Sequence, residues 1–299
     1  MRSYTGDISA KLRNMLTEHA QEFGGPWSLL KVEAVEKYLR AYASVMSRQS
    51  FQLIYIDTFA GSGSFTFGEG MPLIATDEAA QVFAGSVKRA LSVHAFKQLF
   101  FLESDERNIA SLRAIAGSDP RVEIIEGDAN LQLIKLCQRL DWKSRRGVVF
   151  VDPCGPETNW AILRAIAATK ALDVFWLFPL SAVYRNAPRD HGALTPEKRA
   201  MVSKCLDCDS WEESFYGPSR FVVSDLFEDA PKVRHIEINS IEAFVTAKLR
   251  KIFPHVEKPA RLLGNTKAPL FNLFFAMANP SAAAKRIAGP IARHLLEEI

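Results

Sequence analysis

Nothing in these 299 residues is apolar for long enough to cross a bilayer: no stretch reaches the ~18 consecutive apolar residues of a membrane helix. Cysteine is scarce, four in all, and the polar start from Met1 to Glu22 has no apolar leader core. Both point to reduced thiols in a soluble, cytoplasmic protein. Internal repeats and low-complexity linkers are absent, which excludes solenoids and arrays. The six histidines form no His-x-x-x-His pair. Cys205-Leu-Asp-Cys208 is spaced like half a zinc site, but no second Cys-x-x-Cys completes it, so no metal is expected. Charge of one sign is missing too. With 37 Lys and Arg against 34 Asp and Glu, the formal net charge is +3, which permits a nucleic-acid partner without demanding one.

What remains is an ordinary globular balance, 48% apolar and 24% charged, in a chain long enough for one large α/β domain or two small ones. Residues 27–47 carry Leu29, Leu30, Val32, Val35, Tyr38, Leu39, Tyr42 and Val45 on one helical face. From Phe51 onward, short apolar runs alternate with helical stretches, the signature of βαβ units and a mainly parallel sheet. Strands are expected at 51–57, 98–103, 121–126, 147–152 and 172–179, with helices at about 83–93, 105–116, 129–140 and 158–168. A polar segment from about 185 to 250, with helical patches at 196–206 and 239–252, reads as an insertion or lid. Two further apolar runs, 256–263 and 270–277, flank Gly264-Asn265 and Pro269 and suggest an antiparallel pair closing the sheet before a last helix at about 281–297. The expectation is a helical extension (1–48) followed by one α/β domain (49–299). Its fold is Rossmann-like, of the class I methyltransferase plan: a seven-stranded, mostly parallel sheet with an antiparallel terminal strand and a helical insertion.

The richest stretch is Tyr55-Ile-Asp-Thr-Phe-Ala-Gly-Ser-Gly63. A buried strand ending in an acid and then Phe-x-Gly-x-Gly is how many methyltransferases hold S-adenosylmethionine (SAM). Gly61 and Gly63 allow a tight turn and a close approach to a ligand that any Cβ would obstruct. Ligands of doubly wound sheets lie across the carboxyl ends of the strands, and three more strand ends carry suitable groups. Glu103 ends the second strand, where a carboxylate can accept both hydroxyl protons of a ribose. Asp128 and Ala129 follow the third, where an Asp can accept from an adenine amino group. The cofactor set is thus Asp57, Phe59, Gly61, Gly63, Glu103, Asp128 and Ala129. Capping competes for some of these acids. Asp105 is well placed to cap the helix from Glu106, and Asp128 could cap the one from Ala129.

The fourth strand ends in Asp152-Pro153-Cys154-Gly155, which speaks of chemistry rather than cofactor binding. Enzymes that methylate an exocyclic amino group often carry Asp/Asn-Pro-Pro-aromatic here. The carboxylate and the proline carbonyl accept the two N–H bonds, and the aromatic stacks on a flipped base. Asp152 and Pro153 are therefore the catalytic candidates. Gly155 replaces the aromatic, leaving Phe178, Trp160 or Tyr184 as stacking faces or as plain packing. Cys154 keeps a second chemistry open, thiolate addition as in pyrimidine C5 methyltransferases, beside the plain reading of a buried small residue. Six Lys and Arg between 248 and 267 face one acid, Glu257. That run is either a solvated surface or a grip on phosphates.

Taken together, these motifs resemble the three-Cys-motif partner family (TcmP), bacterial proteins with a methyltransferase-like fold. The resemblance runs through Lys31, residues 55–63, Gly85-Ser86, Phe101-Leu-Glu-Ser104, Phe150-Val-Asp-Pro-Cys-Gly155 and Phe178-Pro179, over about residues 25–280. It implies a SAM pocket and a three-Cys-motif protein as partner, and leaves the substrate open. An aromatic often stands in the family at the position of Cys154, which argues against an obligatory thiolate. Two functions follow as expectations. The first is a SAM-dependent methyltransferase acting on an amino nitrogen, as on a nucleic-acid base. The alternative is a non-catalytic partner or nucleic-acid-binding protein that keeps the fold.

Overall fold

The computed structural model describes residues 21–22, 27–66, 83–153, 155, 158–218, 232–264 and 268–299. Cys154, Asn265, Lys267 and most of the polar N-terminal stretch lie outside them.

Helix α1 (Trp27–Met46) leads into β1 (Gln52–Asp57). Then come α2 (Ser86–Leu91), β2 (Gln98–Glu103), α3 (Glu106–Ala116), β3 (Val122–Glu126), α4 (Ala129–Arg139), β4 (Arg145–Val151), α5 (Trp160–Ala168) and β5 (Leu172–Phe178). A short helix, α6 (Leu180–Asn186), follows, and the stretch expected as an insertion then holds α7 (Pro196–Leu206), α8 (Trp211–Phe215), a two-stranded ribbon of β6 (Tyr216–Pro218) with β7 (Lys232–Arg234), and α9 (Ile238–Ile252). The chain closes with β8 (His255–Val256), β9 (Ala260–Leu263), β10 (Pro269–Met277) and α10 (Ala282–Glu297).

The main sheet runs β8-β10-β5-β4-β1-β2-β3, with β9 also paired to β10, eight strands in all. β1 to β5 are mutually parallel, whereas β10 is antiparallel to β5. Seven positions were expected, and all are filled. The eighth strand arises because the outer position beside β10 is divided into β8 and β9 on either side of Glu257-Lys258-Pro259. A proline cannot donate to a ladder, so the interruption falls where Pro259 stands.

Strands in such a sheet are covered on both faces, and the usual alternation merges into continuous apolar runs. Ile54, Ile56, Phe100, Leu102, Val149, Val151, Val174 and Trp176 face one apolar layer, shared with α4 to α9. Leu53, Tyr55, Leu99, Phe101, Val148, Phe150, Phe175 and Leu177 face the other, shared with α1, α2 and α10. Val202, Leu206, Trp211 and Phe215 from α7 and α8 belong to the first layer, next to Trp160 and Phe274. Among the described residues no helix is long and apolar enough to cross a membrane.

Candidate functional site

One cavity of about 590 Å³ opens across the carboxyl ends of β1, β2, β3 and β4, within the size range of small-molecule sites. Its wall includes Phe59, Gly61, Gly63, Glu103, Asp128, Ala129 and Asp152, bringing residues from four strand ends to one space. Asp57 and Pro153 are not part of that wall.

The loop after β1 is pinned at both sides. Thr58 N–H donates to the Phe150 carbonyl (2.9 Å) and Ala60 N–H to the Leu102 carbonyl (3.0 Å), laying the loop over β4 and β2. Gly61 and Gly63 have φ of 60° and 75°, the left-handed region that glycine alone enters cheaply. A Cβ at Gly63 would come within 2.9 Å of Ile115 Cδ1. The glycines thus serve both backbone conformation and helix contact.

Below the loop, Asp57 is completely buried and receives the Tyr55 hydroxyl at 3.2 Å. Burial pushes its carboxyl up to about 7; the Ser86 hydroxyl and Phe59 N–H oppose the shift, and the nearby charge of Asp152 adds to it. Asp57 is a buried support for the loop rather than a surface that a ligand touches.

Glu103 braces the loop from β2. Its Oε2 accepts from Gly61 N–H at 2.8 Å, while Oε1 accepts from the N–H groups of Ser104 and Asp105 at 2.8 and 2.9 Å. Asp105 caps α3, accepting from Arg107 and Asn108 N–H. Asp128 caps α4 through Leu131 N–H at 2.8 Å and still lines the cavity, so capping and lining coexist in one residue.

At the end of β4, both Asp152 oxygens lie against the Lys31 ammonium, at 2.8 Å (Oδ1) and 2.6 Å (Oδ2). The lysine is buried, only 6% of its side chain exposed against 17% for Asp152. Its Nζ also lies 5.1 Å from the centre of the Trp27 ring. Sequence reasoning tied Lys31 to the resemblance and gave it no role in the site. A signal was available: Lys31 shares a helical face with Val35, Tyr38 and Tyr42, all buried, and a lysine on such a face needs a buried partner. Also in the wall and not foreseen are Ser28, Asn108, Asn130 and Lys204, the last from α7.

Of the stacking candidates, Trp160 and Phe178 are core residues in edge contact with Trp176. The Tyr184 ring is covered by Arg234 at 3.7 Å. Phe59, half-buried, is the aromatic in the cavity wall. No group of His, Cys, Asp and Glu suited to a metal occurs among the described residues. Cys205 is buried and its thiol is pushed up to about 11 by that burial. Within the basic run, Lys248 donates to the Leu206 carbonyl (2.7 Å) and pairs with Asp207 (3.1 Å), while Arg261 pairs with Glu242 (2.6 Å).

The residues fit an adenosyl ligand. A glycine loop leaves room at the β1 end, and acceptor carboxylates stand at the β2 and β3 ends. Moreover, the hydroxyls of Ser28, Thr58 and Ser64, all in the wall, are buried with no hydrogen-bond partner among the described residues. Buried polar atoms of that kind ask for a ligand or water to satisfy them.

Strand order, reversed terminal strand and glycine loop define a Rossmann-like, methyltransferase-type α/β fold. No protein-family model matches the chain, and no curated protein matches it in sequence. Among solved structures, protein LPL1258 from Legionella pneumophila str. Philadelphia 1, of the DUF519 family model, is similar over 91% of this chain and 92% of its own. The two are 12% identical with a TM-score of 0.51, so the likeness is one of fold. Spermidine synthase from Thermotoga maritima is 11% identical over 85% of this chain and 64% of its own, with a TM-score of 0.40. The N-terminal domain of EvdMO1, solved in the presence of SAH and D-fucose, is 12% identical over 81% of this chain and 82% of its own, with a TM-score of 0.36.

Proposed function

We propose that this chain is a SAM-dependent methyltransferase of the three-Cys-motif partner type, acting on an amino nitrogen of a nucleic-acid base. The supporting observation is the convergence of the glycine loop, Glu103, Asp128 and Asp152 on one cavity. SAM, when bound, supplies an electrophilic sulfonium methyl. The loop carrying Gly61 and Gly63 borders its amino-acid end, Glu103 accepts from the ribose, and Asp128 with Ala129 borders the adenine. Asp152 accepts one N–H of the acceptor amine and turns the nitrogen lone pair toward the methyl, while Pro153, outside the cavity wall, makes no direct contact in this reading. Positioning of this kind is the main catalytic resource for an in-line displacement. The Lys31 ammonium holds the Asp152 carboxylate in one orientation, and each oxygen keeps a lone pair for the amine.

The partners in this reading are nucleic acid and a three-Cys-motif protein, in a cytoplasmic setting. The alternative, a non-catalytic partner, draws on Gly155 in place of the aromatic and on the Lys31 ammonium already seated on Asp152. Transfer of tritiated methyl from SAM to total RNA, DNA and protein separates the two. Incorporation that disappears in Asp152→Asn while calorimetric SAM affinity is kept supports the enzyme. Salt-sensitive nucleic-acid binding without incorporation supports the partner.

A further inference from the structure

A second cavity, of about 370 Å³, lies at the opposite end of the sheet, between α1, α10 and the starts of β4 and β5. Its position follows from register. Asp173 is the second residue of β5, paired with Val148 of β4 and with Met277 at the end of β10, whereas Asp152 follows the far end of β4. The wall is chiefly apolar: Tyr42, Met46 and Phe51 on one side, Met277 and Ile291 on the other. Asp173 is the acid in that wall, 4% exposed. The Tyr38 hydroxyl donates to its Oδ2 at 2.7 Å. Among the described residues no cation pairs with it.

The other charged or titratable groups facing this space are few. Tyr38 and Tyr42 come from α1, both held well above the usual phenol range by burial, with Asp173 adding to the effect. Arg146 comes from β4, but its Nη1 donates to the Trp142 and Arg145 carbonyls at 2.8 and 2.6 Å and its guanidinium lies 4.0 Å from the Phe51 ring centre. α10 presents Ala and Ile side chains to it, and β10 with its trailing loop Met277, Asn279 and Ser281. A desolvated carboxyl at the base of an apolar, aromatic-sided cavity is half of an ion pair. Burial raises that carboxyl to about 7, as expected where nothing nearby neutralises it.

We infer that this cavity is a second ligand site, taking a small organic monocation, an ammonium on an aliphatic or aromatic body, with its charge on Asp173 and its body between α1 and α10. Tyr42 supplies ring surface to such a cation as well. The assignment is independent of the strand-end site and survives if that site proves inactive.

The probes are n-hexylamine, 1-hexanol and hexanoate, titrated calorimetrically and by thermal shift into the full chain. The expected result at about pH 8 is hexylamine binding on the order of tenfold or more tighter than hexanol, the factor that measured coupling of close charge pairs reaches. Hexylamine affinity falls by roughly tenfold on going to about pH 6, where Asp173 takes up its proton while the amine stays charged. Asp173→Asn keeps an acceptor for Tyr38 and abolishes the preference for the amine. Should that variant fail to fold, Ala284→Trp, which fills the rim from α10, blocks all three probes. Equal binding of amine and alcohol, tighter binding of hexanoate, no hexylamine binding at all, or hexylamine binding unchanged in both variants would each overturn the assignment.

Discussion

The Lys31–Asp152 pair offers a sharp test of how the site is built. Lys31→Met keeps most of the aliphatic stem and removes the charge, leaving the carboxylate, 17% exposed, without that counter-ion. Breaking a buried pair by deleting one partner costs about 3–5 kcal/mol. Because Asp152 retains some solvent, the lower end applies, about 3 kcal/mol. Asp152→Asn takes the carboxylate away from an ammonium that is 6% exposed, and a cost of similar size is expected. The double variant removes both charges of the pair, so a coupling energy of about 2–3 kcal/mol is expected from the cycle. Urea unfolding of the four proteins, followed by tryptophan fluorescence, measures it. Single variants each within about 0.5 kcal/mol of wild type, or strict additivity in the double, would refute the view that the pair is buried and coupled. The functional arm runs in parallel: Lys31→Met loses methyl transfer while SAM affinity stays within a few-fold.

Two further outcomes come from the loop. Asp57 titrates near 7 in the folded chain and near 3.9 when free, so between those values only the folded state keeps the proton. Stability present at low pH is therefore lost as pH rises through about 7, by at most on the order of 4 kcal/mol, and Asp57→Asn should flatten this fall; parallel urea profiles for variant and wild type between about pH 5 and about pH 8 would contradict it. Gly63→Ala combines a φ of 75° with a Cβ 2.9 Å from Ile115, whereas Gly117→Ala has a φ of 57° and nothing within 4 Å. Each should lose about 1 kcal/mol to backbone strain, with a further loss of stability and of SAM affinity in Gly63→Ala alone.

Much of this architecture was legible in the residues because a two-sided parallel sheet writes itself as uninterrupted apolar runs, and its strand ends as acids and glycines. β2 and α7 fall at their expected positions, 98–103 and 196–206, and the other main strands and helices lie within a few residues of theirs. Asp105 and Asp128 cap the helices that follow them. The rest depended on tertiary contact. Lys31 and Asp152 are 121 residues apart and no local pattern joins them. For Trp160 and Phe178 the residues alone left a stacking face and plain packing equally open, and α7 and α8, lying over the same layer, decide for packing. Asp57 carried the right residue type for a ligand contact, yet its side chain follows Tyr55 to the face of β1 that α1 and α2 cover.

The double engagement of Glu103 has a consequence for anyone who mutates it. One oxygen fastens Gly61 and the other gathers the chain entering α3. Exchange for glutamine places an amide NH₂ where one of those donors needs an acceptor, so the turn loosens whether or not a sugar is nearby. Reduced affinity in such a variant reports a slackened hinge-pin as much as a missing ribose contact, and the two are separated by asking whether adenine and adenosine lose affinity equally.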